Sequence, residues 1–150
     1  MTTKIHLLVD GTGRPLSVVL TAGQVHDTIV LPDLLAGIRV ARPVGRPRTT
    51  PKQVIADKGY SSRANRRLLA RRGITATIPE KQDQRANRRQ RGSRGGRPYA
   101  FDPQAYKRRN VVERGFNTFK NYRGIATRYD RLARNYLGAL HLASTLTWLS

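Results

Sequence analysis

Apolar residues recur along this chain with two different periods, and the switches between them mark its elements. Residues 4–9 and 15–22 are short apolar runs joined by Asp10-Gly11-Thr12-Gly13. Asp-Gly between two such runs predicts a β-hairpin, because these residues accept tight-turn geometry. Residues 28–38 take helical spacing, with Pro32 close enough to the start to be tolerated. A Pro/Arg-rich connector over 41–52 leads to a short buried strand, 53–56, with Asp57 at its carboxyl end. Ser61 or Ser62 is placed to cap a basic helix over 63–72, which Gly73 ends. Residues 74–78 form a further strand, stopped by Pro79. Helical spacing returns near Pro103, runs to about Tyr122, and resumes over 135–149 with a broad apolar face. Hairpin, helix, strand, helix, strand, insertion and helices together predict one mixed α/β domain over residues 1–150, with helices packed on a sheet.

Charge changes that picture most. Among 150 residues, 29 Lys and Arg face 9 Asp and Glu, a net charge of +20. Such a surplus repels itself in a compact fold unless a polyanion neutralises it. DNA or RNA does so with release of counterions, which makes a nucleic acid the natural partner. Membrane partners are excluded: the longest apolar stretch, near the end of the chain, is broken by His141, Ser144 and Thr145 and is too short to span a bilayer. The chain has no cysteine, so neither disulfides nor thiolate metal sites exist. No signal-peptide pattern opens it, and the expected location is a bacterial cytoplasm, beside the nucleoid. Within the insertion, 81–98, seven basic residues stand against Asp83, together with a Gly-Ser-Arg-Gly-Gly tract. That composition predicts a flexible arm in which Arg88, Arg89 and Arg91 touch phosphates without reading bases.

The candidate chemistry lies on the helix after Pro103. Tyr106, Arg109, Glu113 and Lys120 follow one another at spacings that keep all four within about 60° around a helix axis. One stripe thus holds a carboxylate, two cations and an aromatic hydroxyl, while Val112, Phe116 and Phe119 occupy an adjacent anchoring face. A carboxylate flanked by phosphate-binding cations suits a metal site acting on a nucleic-acid backbone. Asp57 joins it, because ligands bind at the carboxyl ends of strands in open α/β sheets. Each residue also has a plain explanation. Asp57 caps the following turn, Glu113 pairs with an arginine one helical turn away, and Tyr106 packs at the edge of a core.

Three stretches carry a resemblance to the DDE-class transposases of bacterial insertion sequences, of the families-four-and-five type. Residues 4–10 with 21–27 resemble that family's second and third strands and the His-Asp turn after them. Residues 54–60, Val-Ile-Ala-Asp-Lys-Gly-Tyr, resemble the strand bearing its second catalytic Asp. Tyr106, Arg109, Glu113 and Lys120 match its Y-(2)-R-(3)-E-(6)-K signature in full. The resemblance implies a ribonuclease H-like mixed sheet with flanking helices, and metal-dependent cleavage and strand transfer of DNA by in-line phosphoryl transfer. It implies Asp57 and Glu113 as catalytic metal ligands for two Mg²⁺ or Mn²⁺ ions. It implies Arg109 and Lys120 as phosphate holders with Tyr106 beside them, and element ends and target DNA as partners.

One departure matters. The family's first carboxylate lies on a strand upstream of the hairpin that opens this chain. Asp10 is explained by Asp-Gly turn chemistry, and His26 and Asp27 by a structural turn. The expectation is therefore the downstream part of a transposase catalytic domain, lacking the first strand and inactive alone, with an upstream transposase fragment or a second copy as partner. The alternative is a non-catalytic fragment that coats DNA or modulates full-length transposase.

Overall fold

In the computed structural model, which describes residues 2–149, the opening turn folds as its residues dictate. One Asp10 carboxylate oxygen accepts from the Thr12, Gly13 and Arg14 amides at 2.8, 2.9 and 2.9 Å and from the Thr12 hydroxyl at 2.7 Å. Gly13 takes a φ of 104°, which a side chain would resist. On either side, β1 (Thr3–Val9) pairs antiparallel with β2 (Pro15–Ala22), with an irregularity between Leu8 and Val9.

Alternation along β1 divides the molecule into two cores. Ile5, Leu7 and Val9 face a cluster built on Phe119, Ile125, Tyr136 and Leu140. Leu8 faces a second cluster of Leu31, Leu35, Ile38, Val54, Leu69, Ile74 and Ile78. The second cluster is assembled by α1 (Leu31–Ala36), β3 (Gln53–Ile55), α2 (Arg63–Arg71) and β4 (Thr75–Thr77), with β3 and β4 parallel. Ser62 is the cap of α2, its hydroxyl accepting from the Asn65 amide at 3.1 Å.

The remaining elements are helical: α3 (Gln82–Gln90), α4 (Pro103–Lys107), α5 (Asn110–Lys120), α6 (Arg123–Ala126) and α7 (Ala133–Leu149). Among the described residues, no helix is long and apolar enough to cross a membrane. The last helix is pinned to the hairpin, since the Trp148 indole donates to the Pro15 carbonyl at 2.7 Å.

Three expectations need adjusting. The mixed α/β organisation stands, but the strands do not form one mixed sheet: they form two separate two-stranded sheets. The basic stretch expected to lack regular structure holds α3. Gln84 accounts for this, accepting from the Ser61 hydroxyl at 2.9 Å and donating to the Ser61 carbonyl at 2.6 Å, which docks α3 beside the start of α2. The single helix expected from Pro103 to Tyr122 is broken at Arg108 and Arg109. There the amides reach back three residues, as in Arg109 to the Tyr106 carbonyl at 2.9 Å and Val112 to the Arg109 carbonyl at 2.9 Å. Such bonds tighten the chain locally into 3₁₀ geometry.

Candidate functional site

Asp57 follows β3 and is exposed. Its carboxylate accepts from the Lys58 amide at 2.6 Å, capping the 3₁₀ turn Lys58–Tyr60. The plain reading of this residue is thus true, yet it occupies one acceptor site of a group that has about four.

The turn is held from below by a chain of hydrogen bonds that the sequence did not reveal. His6, 3% exposed, lies with Nδ1 2.8 Å from the Tyr60 hydroxyl and Nε2 2.9 Å from the Thr21 hydroxyl. Burial lowers the His6 pKa; Asp27 works against that shift and Lys4 with it. Burial, aided by the Asp27 and Asp57 carboxylates, pushes the Tyr60 hydroxyl up to about 12, so it stays protonated. Asp27 accepts from Lys4 at 3.0 Å, and Lys4 also donates to the Val25 carbonyl at 2.9 Å. Gly59 packs closely against Asp27, and a Cβ there would lie 3.0 Å from the Asp27 Oδ2 and displace it by a few tenths of an ångström. The only sequence signal for this network was a lone polar His within an apolar strand.

Helices α4 and α5 carry the other candidates. Arg109 donates to Glu113 at 2.8 Å, and its guanidinium stands 5.8 Å from the centre of the Tyr106 ring. Tyr106 also packs on Phe101, ring centres 5.3 Å apart. The expected stripe therefore survives the break between the helices for these three residues. Lys120 ends α5 on the exposed surface. The Arg109 and Glu113 side chains are 35% and 57% exposed, so their pair contributes about 0.3–0.5 kcal/mol and is readily exchanged for another anion. Gly115 lets α5 approach β1, since a Cβ there would meet Val9 at 3.0 Å and Leu7 at 3.3 Å.

A cavity of about 570 Å³ brings the two halves of the site towards each other. Asp57 lines it from β3, and Arg108 and Arg109 line it from the α4–α5 junction. Glu113 is linked to this rim through Arg109. Asp10 also borders the cavity, with one of its carboxylate oxygens taken up by the turn. Burial alone would raise its pKa, and the hydrogen bonds from Thr12, Arg14 and Gly13 outweigh that and lower it.

Of the expected phosphate-contacting arginines, Arg89 and Arg91 are exposed. Arg88 is occupied: it makes a two-pronged pair with Glu80, the second contact at 2.6 Å, and the two side chains are 18% and 12% exposed. The Arg88 bond also lowers the Glu80 pKa. Arg66, which sequence reasoning passed over, is buried under the Tyr99 ring at 4.1 Å and donates to the Ile78 carbonyl at 2.7 Å. Its role is to tie α2 to the end of β4.

The donor set was tested against a divalent ion. Among the described residues, no group of three or more His, Cys, Asp or Glu is disposed to hold a metal. Asp57 and Glu113 each already serve one protein donor. Asp57 and Glu113 are thus the carboxylates on offer to Mg²⁺, an ion that is bound through one or two carboxylates while water and phosphate oxygens complete its six ligands.

The family model described as transposase DDE domain matches residues 1–148. The chain is 33% identical over 149 residues to a putative transposase for insertion sequence element IS6501 of Brucella ovis, covering 99% of each protein. It is 33% identical over 132 residues to a putative transposase for insertion sequence element IS402 of Burkholderia cepacia, covering 87% of this chain and 55% of that protein. No solved structure matches it.

Proposed function

Because the chain belongs to the family of transposase DDE domains found in insertion-sequence elements, we propose that it handles the sugar-phosphate backbone of DNA through Asp57, Glu113 and the cations around them. The observation that carries this reading is the cavity rim, where Asp57 from β3 and Arg109 from the α4–α5 junction border one space while Arg109 holds Glu113. This arrangement supports reading the two acids as one site. Bound, a pair of Mg²⁺ or Mn²⁺ ions would activate the attacking oxygen and stabilise the leaving one. Among the described residues no third His, Cys, Asp or Glu is grouped with Asp57 and Glu113, and this reading expects the chain by itself to bind DNA without cutting it.

What its own residues do follows from their geometry. Arg109 exchanges Glu113 for a phosphate oxygen when DNA arrives, because its present pair is exposed and weak. That exchange frees the Glu113 carboxylate and leaves the Tyr106 ring as a flat wall behind the guanidinium. Arg89, Arg91 and Lys120 supply exposed charge for non-specific phosphate contacts. His6 and Tyr60 hold the Asp57 turn against the hairpin.

The test is a strand-cleavage assay on duplexes carrying element ends, with Mg²⁺ or Mn²⁺, run beside a binding assay. The chain should bind duplex DNA with a steep salt dependence and leave it intact. Metal-dependent cutting by the chain alone, absent from Asp57→Ala, would overturn that expectation. A second reading, a non-catalytic DNA-coating subunit, is favoured by the +20 charge. It predicts that Asp57→Ala and Glu113→Ala change nothing.

A further inference from the structure

A second recess opens on the other side of α5 from the cavity that Asp57 borders. Its volume is about 340 Å³, and it forms where the hairpin tip meets α5. Gly13 and Gly115 both line it, and neither has a side chain to fill it. The two glycines also let the elements touch. A Cβ on Gly115 would lie 3.6 Å from the Gly13 carbonyl oxygen, and one on Gly13 would lie 3.5 Å from Val111. This close approach brings Arg14 from the hairpin and Arg114 from α5 to the same space.

No acidic side chain lines the recess, and among the described residues neither arginine is in an ion pair. Two guanidiniums sharing one space repel each other until an anion sits between them. The hydroxyl protons beside them are already placed. Thr12 donates to Asp10 at 2.7 Å, Thr118 to the Arg114 carbonyl at 3.2 Å and Thr147 to the Ala143 carbonyl at 2.9 Å. The donors facing an anion are therefore the guanidinium N–H groups, which form a rigid fork suited to phosphate oxygens. Arg14 is held ready for it. Its amide donates to Asp10 at 2.9 Å, and its guanidinium stands 5.2 Å from the centre of the Trp148 ring, whose N–H is fixed on the Pro15 carbonyl. A head group already held by packing loses less freedom on binding.

The position of the recess says where the anion comes from. Around α5, Arg114 and Thr118 lie about 100–140° to one side of Glu113. Val112 and Phe116, which border the larger cavity, lie about 60–100° to the other side. The outward ridge bearing Glu113 and Lys120 thus separates the two recesses. A helix with its side chains is about 10–12 Å across, and a DNA strand advances about 3.4 Å along its axis per nucleotide. We infer that Arg14 and Arg114 grip one backbone phosphate of DNA, about three nucleotides along the strand from the phosphate taken by Arg109. One phosphate contact lets a strand pivot; a second, across α5, fixes its direction over Asp57. The anion site rests on the recess alone, and the strand path rests on the functional reading above.

The experiment follows binding of the full chain to a short labelled duplex by fluorescence anisotropy over a range of salt. Arg14→Gln and Arg114→Gln should each weaken binding. The double variant should lower the slope of log affinity against log salt by about 1, because a single phosphate is released. Two unconnected surface charges would instead lower it by about 2, with additive losses of affinity. Arg114→Lys, which keeps the charge and loses the fork, should show about half or more of the Arg114→Gln loss. Inorganic phosphate at constant ionic strength should raise the melting temperature of the parent chain more than that of the double variant. Circular dichroism without DNA should be unchanged, since both side chains are exposed. Additive losses, full binding by Arg114→Lys, or equal phosphate stabilisation of parent and double variant would each overturn the inference. Phosphate stabilisation lost in the double variant while its DNA affinity stays intact would assign the recess to free phosphate, and would overturn its assignment to DNA. Arg109→Gln separates the two claims. If it left affinity intact while the coupled Arg14 and Arg114 losses held, the functional reading would fall and this phosphate site would stand; the opposite pattern would remove this site alone.

Discussion

Tyr60→Phe is the substitution that best tests how the Asp57 turn is held. The hydroxyl removed is 2.8 Å from Nδ1 of His6, a side chain 3% exposed. The change leaves this largely buried nitrogen without its protein partner, at a cost of about 1–3 kcal/mol. For a chain of this length each kcal/mol lowers the melting temperature by about 2–4 °C, so the drop should be about 2–12 °C. Urea unfolding followed by circular dichroism at pH 8 measures the loss with His6 neutral. In a His6→Ala background the same substitution should cost less than half as much, because the partner is already gone. A loss below about 0.5 kcal/mol, or equal losses in the two backgrounds, would refute the claim that this bond fixes the turn to the hairpin.

Four further outcomes follow. The His6 pKa is lowered from 6.5, chiefly by burial, so the fold favours the neutral ring and the unfolded chain takes up the proton more readily. Its contribution is complete above pH 6.5 and is lost as pH falls below it; His6→Ala should flatten the stability profile between about pH 6.5 and 5. Gly115→Leu should cost about 1–3 kcal/mol by pushing α5 off Val9 and Leu7, read as a lower urea midpoint. Arg66→Ala should cost about 1–3 kcal/mol by leaving the Ile78 carbonyl without its donor, and Arg66→Lys should recover part of that in the same assay. Arg89→Ala should reduce the slope of log affinity for DNA against log salt by about 1 with no loss of stability, whereas Arg88→Ala should lower the melting temperature by stranding Glu80. Equal effects of the two arginine changes on both readouts would contradict their different settings.

The paired roles of Asp57 and Glu113 show why a plain and a functional reading can both hold. Asp57 does cap a turn, and Glu113 does pair with an arginine one turn away. Neither bond uses the whole carboxylate, and both groups are exposed. An exposed acid with a weak partner keeps the freedom to meet a ligand, whereas Asp10 has one carboxylate oxygen committed to four donors of its own turn.

Local chemistry determined much of this protein before any fold was known. The Asp-Gly turn, the Ser62 cap, the alternation of β1 and the four-residue register on α4 and α5 are short-range matters of backbone preference and periodicity, legible in the residues themselves. The surplus of cations likewise announced a polyanion. Tertiary structure decided the rest, because it depends on which distant groups share one buried volume. Only packing could pair His6 with Tyr60, 54 residues away, commit Arg88 to Glu80 while leaving Arg89 exposed, and let Gln84 dock a helix where charge repulsion argued for none. Strand partnership is also long-range, since an edge bonds to whatever lies beside it in space. For that reason the chain could suggest a sheet, while only the fold could divide it in two and leave a cavity between the halves.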